Sequence, residues 1–493
     1  MKNQTSIFLL LILNLLFIIS CSKNESNIPV KSKEFNKEID HYISSLIKAD
    51  QIPGMAIAVI KNGKVVHRKN YGLANIAHNV PVSDSTLFRV YSTTKLVTSV
   101  AVFQLIENGK ISLDDSLSKY IENLPLLWRD VKIKHLLTCS SGLPDYKDLD
   151  KNLTGKKLMN ELIKQPLNFE KGYKYEYSQT NYWFLKLIIE KVTNQRFEDF
   201  VHENQFKNRK DEVFFASNSL VDYPNRVSKY QYNSDYNAYE ITSFEDGNRS
   251  LASNGLNTNL NTLVDWNMKL DSDQLLRPET KRLMMSPFEY ENNGFPFGYT
   301  WGIYGPEGKQ SYGFAGGGVS ALMKFIDKDL TIIILSNGFK NKPVIATSIS
   351  YISGLMDNSL ARKDRMLNED VRLTFMLHPY ENALKKYQQI KNKNKKISFE
   401  RALYGISHYF LSDKKIDKAI SMFNLYIQEY PTSSYAYDGL AESYFMSQQY
   451  DLAKDNYEKS LSFNPKNKNA MLMLKKIEQM ANANNGYTLH GSK

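Results

Sequence analysis

Strand patterns lie at the two ends of one long region of this chain, and helical patterns lie between them. The segment GMAIAVIKNGKVVHRKNYG starts at Gly54 and surrounds an Asn62–Gly63 turn signal, which predicts two short strands. Four more strand-like runs, YTWGIYG, QSYGFAGGG, VSALMKFID and LTIIILSN, come late in the region, whereas residues 113–270 have helical patterns. These patterns predict an α+β domain whose ends meet in an antiparallel sheet flanked by helices, with a helical subdomain.

The N-terminus has the pattern of a secretion signal. Lys2 precedes the apolar run IFLLLILNLLFIIS, which is short for a membrane span and ends directly before Cys21. The order Ile18-Ile19-Ser20-Cys21 resembles the lipobox of bacterial lipoproteins, and an ordinary signal peptide cut elsewhere is the alternative. The resemblance implies a lipid on Cys21 and a membrane-anchored location in the bacterial cell envelope, at the outer membrane or the periplasmic face.

The net charge of +11 raises the possibility of an anionic partner, but the lysines gather in KKYQQIKNKNKK, residues 385–396. A single tyrosine there provides no stacking platform for bases, so we expect a solvated helix or linker and no nucleic-acid partner. Cys139 is the one cysteine after Cys21, which predicts a small buried residue and no intrachain disulfide once Cys21 carries lipid. The histidines lack ligand spacing, and we expect neither a metal nor a cofactor.

The C-terminal part contains a repeat with a period of 34 residues. An offset of 34 aligns pairs of similar residues, namely Ala402 with Ala436, Gly405 with Gly439, Phe410 with Tyr444, Ala419 with Ala453, Phe423 with Tyr457 and Pro431 with Pro465. This period and residue order are similar to tetratricopeptide repeats, in which helix pairs stack small residues between large ones. Two unrelated helical hairpins are the alternative interpretation.

The stretch RVYSTTKLV places Ser92 and Lys95 three residues apart where an apolar helix pattern begins. Ser-x-x-Lys also occurs at Ser45, Ser116 and Ser412, but only at Ser92 does a strand-like approach meet an apolar helix. A serine at a helix start is commonly an N-cap. A lysine kept neutral by burial and nearby cations can instead take the proton from a serine hydroxyl and make it a nucleophile.

Six motifs, FRVYSTTK, ENGKISLDDSLSKYI, IKHLLTCSSGLPDY, FEKGYKYEYSQTNYWFL, GLNTNLNTLVDW and GFAGGGVSALMKF, occur in order between residues 34 and 358. This region resembles the serine β-lactamase and penicillin-binding-protein superfamily, nearest to its class C, esterase and D-aminopeptidase-like branch. The resemblance implies that Ser92 is the acylated nucleophile and Lys95 its proton acceptor. It also implies that Tyr177 shuttles a proton to the leaving group, for which nearby cations must lower its pKa; a surface tyrosine is the alternative.

Two positions depart from the family pattern. Gln179 stands where the family usually has asparagine, and it keeps the amide while adding a methylene. The third motif, Lys-Thr-Gly or His-x-Gly in the family, is Phe314-Ala315-Gly316 here, without a cation or a titratable ring. This loss argues against efficient β-lactam hydrolysis and favours a less charged ester or amide, or lost catalysis. By resemblance, the amides of Ser92 and Gly317 form the oxyanion hole, and a glycine bulge without chemistry is the alternative.

Together these patterns divide the chain into a signal peptide with lipobox, a tether, a hydrolase domain, a basic linker, helical repeats and a tail. The signal peptide with lipobox is residues 1–21, the tether 22–33 and the hydrolase domain 34–358. The basic linker is 359–396, the repeats are 397–480 and the tail is 481–493. We expect a serine hydrolase that acts on an ester, amide or peptide substrate through an acyl-enzyme, with a protein or peptide partner at the repeats. The alternative is a catalytically impaired penicillin-binding-like scaffold or sensor whose repeats bind a partner.

Overall fold

The computed structural model describes residues 30–488, except 220, 221, 244, 293, 294, 341 and 342. The predicted signal peptide and its Cys21 lie outside the described residues. Helix α1 spans Val30–Asp50 and buries Ile39, Ile43 and Leu46, which is the helical spacing expected from the sequence. Within these described ranges, no helix combines the length and the apolar character needed to cross a membrane.

The late strands join the early hairpin in one antiparallel sheet. The strands are β1 Gly54–Lys61, β2 Lys64–Asn75, β3 Val80–Pro81, β4 Phe88–Arg89, β5 Val213–Phe215, β6 Tyr230–Asn233, β7 Ala238–Ile241, β8 Leu256–Thr258, β9 Gly302–Tyr304, β10 Ser311–Gly316, β11 Ser320–Phe325 and β12 Leu330–Ser336. The main sheet has seven strands in the order β3-β2-β1-β12-β11-β10-β9, and Val59 of β1 lies opposite Ile332 of β12. The predicted α+β fold, with its two ends meeting in one sheet, is confirmed.

Helices cover both faces of this sheet. Those of the first domain that follow α1 are α2 Thr94–Glu107, α3 Ile133–Leu137, α4 Gly155–Leu162, α5 Gln179–Thr193, α6 Phe197–Gln205, α7 Leu251–Asn254, α8 Leu260–Asp271, α9 Pro278–Met285 and α10 Ile345–Met356. Side chains alternate along β12, so Ile333 and Leu335 join the core that contains α2, whereas Ile332 and Ile334 join the core beneath α1 and α10. Burial on both faces explains why LTIIIL is apolar without alternation.

The C-terminal region is entirely helical where it is described. It contains α11 Lys363–Leu377, α12 Tyr380–Lys393, α13 Glu400–Ser412, α14 Ile416–Glu429, α15 Ser434–Met446, α16 Tyr450–Phe463 and α17 Lys468–Thr488. The predicted basic linker, residues 359–396, forms α11 and α12, and the lysine-rich stretch 385–396 lies largely in α12. Leu373 packs into the core beneath α1, and Phe375 and Tyr387 pack into the core of the helical region, while Lys385 and Lys386 stay exposed.

A buried ion cluster joins α11 to α1. Arg372 donates to both carboxylate oxygens of Asp50, at 2.9 and 2.8 Å, and to Glu369 at 2.7 Å. All three side chains are buried. Charges that leave water need such direct partners, so this cluster fixes α1, which packs on the main sheet, against the C-terminal helices.

The 34-residue offset corresponds to two helix hairpins, α13–α14 and α15–α16. A Cβ on Gly439 would lie 2.2 Å from the ring of Phe423, so the second hairpin packs on the first only because this residue has no side chain. The equivalent Gly405 has no atom within 4 Å of such a Cβ. Helix α17 packs Ile477 against the second hairpin and continues to Thr488, past residue 481 where the sequence suggested a tail.

Candidate active site

Ser92 lies in a strained turn at the start of α2. The turn is a 3₁₀ segment, Tyr91–Thr93, and Tyr91 has φ of +45°, a left-handed conformation that costs a bulky residue free energy. Ser320 of β11 compensates, because its hydroxyl donates to the carbonyl of Val90 at 2.6 Å and contacts Thr93 Oγ1 at 3.0 Å. The sheet therefore holds the serine turn in place.

The Ser92 hydroxyl faces three polar groups. Its Oγ lies 2.9 Å from the Tyr177 hydroxyl, 3.0 Å from Asn254 Oδ1 and 3.2 Å from Lys95 Nζ. Neither the 3₁₀ turn nor α2 has a side-chain hydrogen bond at its N-cap. Ser92 is therefore not the N-cap that its position in the sequence would also allow.

Lys95 is buried and its amine is easily deprotonated. Its side chain has no solvent exposure, and Nζ donates to Gln179 Oε1 and to the Ser253 carbonyl, both at 2.9 Å. Burial, assisted by the positive charge of Arg89, lowers its pKa from 10.5 to about 7. At neutral pH a large share of Lys95 is an uncharged amine within reach of the Ser92 proton.

Tyr177 stays protonated in this site. Burial raises its pKa above the usual value of 10, although the hydrogen bond with Ser92 acts in the opposite direction. Lys95 Nζ is 5.0 Å from the centre of its ring. The condition stated from the sequence, that neighbouring cations lower this pKa, is not met, so Tyr177 is suited to donate a proton rather than to act as the first base.

Gln179 reaches Lys95 despite its longer side chain. It is the first residue of α5, where the Ser178 hydroxyl accepts the N–H of Thr180 at 3.3 Å. The buried carboxylate of Asp145 accepts the Gln179 N–H at 3.2 Å. These contacts fix the helix start from which the Gln179 amide points at the lysine.

Phe314 forms an apolar wall where the family has a cation. It is 6% exposed, and its ring centre is 6.0 Å from that of Tyr177 and 5.8 Å from Lys95 Nζ. Ala315, the next residue on β10, is exposed and faces the side of the sheet away from the buried Phe314. Neither side chain offers a charge to a substrate carboxylate.

The glycines after Ala315 permit a close approach to the serine turn. A Cβ on Gly316 would lie 2.4 Å from the Val90 carbonyl oxygen, and one on Gly317, which has φ of +57°, would lie 2.8 Å from the Tyr91 ring. In the described part of the chain, the N–H groups of Ser92 and Gly317 donate to no protein acceptor. The end of β10 therefore lies close against the serine turn, and each of these two segments has an N–H group without a protein acceptor among the described residues.

Asn254 is the residue at this site that sequence reasoning missed. It ends the one-turn helix α7, and the carbonyl of the residue before it, Ser253, accepts the hydrogen bond from Lys95. Neither belongs to a motif quoted from the sequence, and only the packing of α7 beside the serine turn reveals them. His135 accepts the N–H of Lys132 at 3.1 Å beside the start of α3.

A serine beside a buried lysine amine, with a tyrosine hydroxyl and backbone N–H groups nearby, is the set of groups that serine acyl transfer requires. Among the residues that the structure describes, no group of three histidine, cysteine, aspartate or glutamate side chains is placed to hold a metal ion. Cys139, close to this site, is buried, as predicted from the sequence.

The family model described as Beta-lactamase matches residues 39–351, and the chain belongs to this family. Penicillin-binding protein 4* of Bacillus subtilis (strain 168) is 26% identical over 327 residues, covering 61% of this chain and 71% of that protein. Protein flp of Staphylococcus aureus (strain NCTC 8325 / PS 47) is 29% identical over 185 residues, which cover 36% of this chain and only 37% of that protein. The octameric penicillin-binding protein homologue from Pyrococcus abyssi shares the fold with a TM-score of 0.58 at 21% identity, covering 69% of this chain and 81% of that one.

Proposed function

We propose that this protein is a serine hydrolase that forms an acyl-enzyme on Ser92. The observation that carries the proposal is the 3.2 Å contact between Ser92 Oγ and a buried lysine amine whose pKa is about 7. Lys95 takes the hydroxyl proton while Oγ attacks the substrate carbonyl carbon, and the oxyanion accepts the N–H groups of Ser92 and Gly317. The Tyr177 hydroxyl protonates the leaving group and regains its proton from Lys95. Water then hydrolyses the acyl-serine and releases the acid.

We propose an ester, amide or peptide substrate that carries no charge at the position facing Phe314. A substrate carboxylate placed against this ring would lose water without gaining a cation, which is costly in a partly buried site. An uncharged substituent would instead gain apolar contact with Phe314 and Tyr177, whose ring centres are 6.0 Å apart.

We further propose that the protein acts in the cell envelope, anchored by lipid on Cys21, and that its tetratricopeptide-like helix pairs hold a protein or peptide partner. Support comes from the Ile18–Cys21 order and from the buried, matching positions of the two hairpins. The anchor is tested by the mass of the N-terminal peptide of protein isolated from the membrane fraction. Pull-downs with and without residues 397–488 test the partner, and an unchanged set of captured proteins would reject it.

The test of the hydrolase is an intact-mass measurement after incubation with a fluorophosphonate and, separately, with a penicillin. We expect a single fluorophosphonate adduct that is lost in Ser92→Ala. Ser45→Ala is the matched control, because Ser45 and Lys48 have the same spacing on α1 away from the site. No adduct with either reagent would refute the proposal and would leave the catalytically impaired scaffold or sensor as the function. An adduct with penicillin instead of the fluorophosphonate would reject the uncharged substrate class.

A further inference from the structure

The outer face of the sheet is incompletely covered at its β9–β11 end. There, the apolar side chains of Met323 and Phe325 on the strands face Ile345 and Ile349 of α10 across a cavity of about 520 Å³. Leu360 lies at the same cavity. This volume is in the range of small-molecule pockets, about 300–1,000 Å³, and the walls are mainly apolar as such pockets require.

The charged residues that line this cavity are all cations. They are Lys309 on the turn between β9 and β10, and Arg362 and Arg365 at the start of α11. In the part of the chain that the structure describes, none of the three forms an ion pair. The pKa of Arg365 is lowered, first by burial and then by the positive charges of Arg362 and Arg401, with Asp364 acting in the opposite direction.

The cavity is separate from the site around Ser92. Ala315 and Gly318 line it, whereas Phe314 packs into the core on the other side of the sheet, beside Tyr177. Neighbouring residues on a strand point to opposite faces, so β10 separates the two sites. A ligand in this cavity therefore does not occupy the substrate position at the serine.

We propose that this cavity binds one anionic amphiphile, a fatty acid. Its acyl chain lies between the apolar walls, and its carboxylate lies at Arg362 and Arg365. The apolar walls remove the hydrocarbon from water, which is the main source of affinity for such a chain. A guanidinium offers paired donors that match the geometry of a carboxylate, and its charge has no competing partner at this cavity. A cationic amphiphile would meet the same walls but would be repelled by three positive charges.

The experiment is calorimetric titration of the purified protein with dodecanoate below its critical micelle concentration, with dodecanol and dodecyltrimethylammonium as comparison ligands. We expect saturable binding of one dodecanoate, at least tenfold weaker binding of dodecanol, and no binding of the cationic compound. The double variant Arg362→Gln/Arg365→Gln should weaken dodecanoate binding at least tenfold. Lys363→Gln is the matched control, because it removes a neighbouring exposed charge that does not line the cavity.

A cavity-filling variant tests the position of the chain. Ala346 is an exposed residue on the cavity wall, so Ala346→Phe fills the space without disturbing the core. We expect it to abolish dodecanoate binding while its thermal unfolding midpoint stays that of the parent protein. The proposal would be overturned if dodecanoate binding were not saturable or if dodecanol bound equally well. It would also be overturned if the double arginine variant or Ala346→Phe bound dodecanoate with the affinity of the parent protein. Each of these results would indicate adsorption to apolar surface. Because this assay does not involve Ser92, it stands or falls separately from the hydrolase.

Discussion

The proposed acylation of Ser92 should depend on pH because Lys95 is buried. Only the neutral amine can accept the hydroxyl proton, and burial lowers the pKa of Lys95 from 10.5 to about 7. Each pKa unit corresponds to about 1.4 kcal/mol, so the site disfavours the ammonium by about 5 kcal/mol relative to water. The burial of Lys95 should therefore set the pH at which the proposed nucleophile, Ser92, reacts.

A pKa of about 7 for Lys95 fixes the expected pH profile of the acylation rate. Lys95 is half neutral at pH 7 and about 1% neutral at pH 5, so the rate of acylation should fall about 50-fold between these pH values. Above pH 7 the rate should rise only about twofold and reach a plateau. With the ordinary pKa of 10.5, the rate would instead keep rising about 100-fold between pH 7 and pH 9.

The assay is the second-order rate constant for labelling by a fluorophosphonate, followed by intact mass from pH 5 to pH 9. Hydrolysis of the reagent is measured in parallel at each pH, and Ser92→Ala gives the background. A rate that continues to rise tenfold per pH unit above pH 7 would refute the argument that burial keeps Lys95 neutral. A rate that is flat between pH 5 and pH 7 would show that another group is the base.

Three further predictions concern stability. Relative to Lys95→Met, the parent protein should gain about 1.4 kcal/mol of unfolding free energy per pH unit between pH 7 and pH 10, because unfolding returns Lys95 to its higher pKa and takes up a proton. Denaturant titrations that show the same pH dependence for the two proteins across this range would contradict this prediction. Gly439→Ala should destabilise the helical repeats by about 1–3 kcal/mol, since its Cβ would meet Phe423, whereas Gly405→Ala should stabilise them by about 0.5–1 kcal/mol. Urea unfolding followed by circular dichroism measures both changes, and equal effects would reject the packing argument. Arg372→Met should cost about 3–5 kcal/mol, because it removes the guanidinium that neutralises the buried carboxylates of Asp50 and Glu369. Arg196→Gln, at an exposed pair with Asp199, should cost far less, and similar losses in the two variants would contradict the burial argument.

Much of the architecture could be read from local patterns. The Asn62–Gly63 signal marks the turn of the first hairpin, with φ values of 51° and 66°, because these residues tolerate a left-handed backbone. The 34-residue period gave the two C-terminal helix hairpins, since each repeat must bury the same positions against its neighbour. The basic linker, residues 359–396, was harder to interpret. Its composition shows the exposed lysines of α12, but it does not show that Leu373 packs into the core beneath α1 and Tyr387 into the core of the helical region.

The sequence by itself determined the strand and helix order, the turn that carries Ser92 and the lysine one helical turn after it, because these depend on residues that are close along the chain. Tertiary structure alone decided whether that lysine is charged, since its burial and its contact with Gln179 come from α5, which lies far along the chain. The same holds for Asn254 and for the cations around the outer cavity, which segments distant in sequence bring together. The protonation state of a side chain and the charges near it depend on distances in the folded structure, and the amino-acid order does not give those distances.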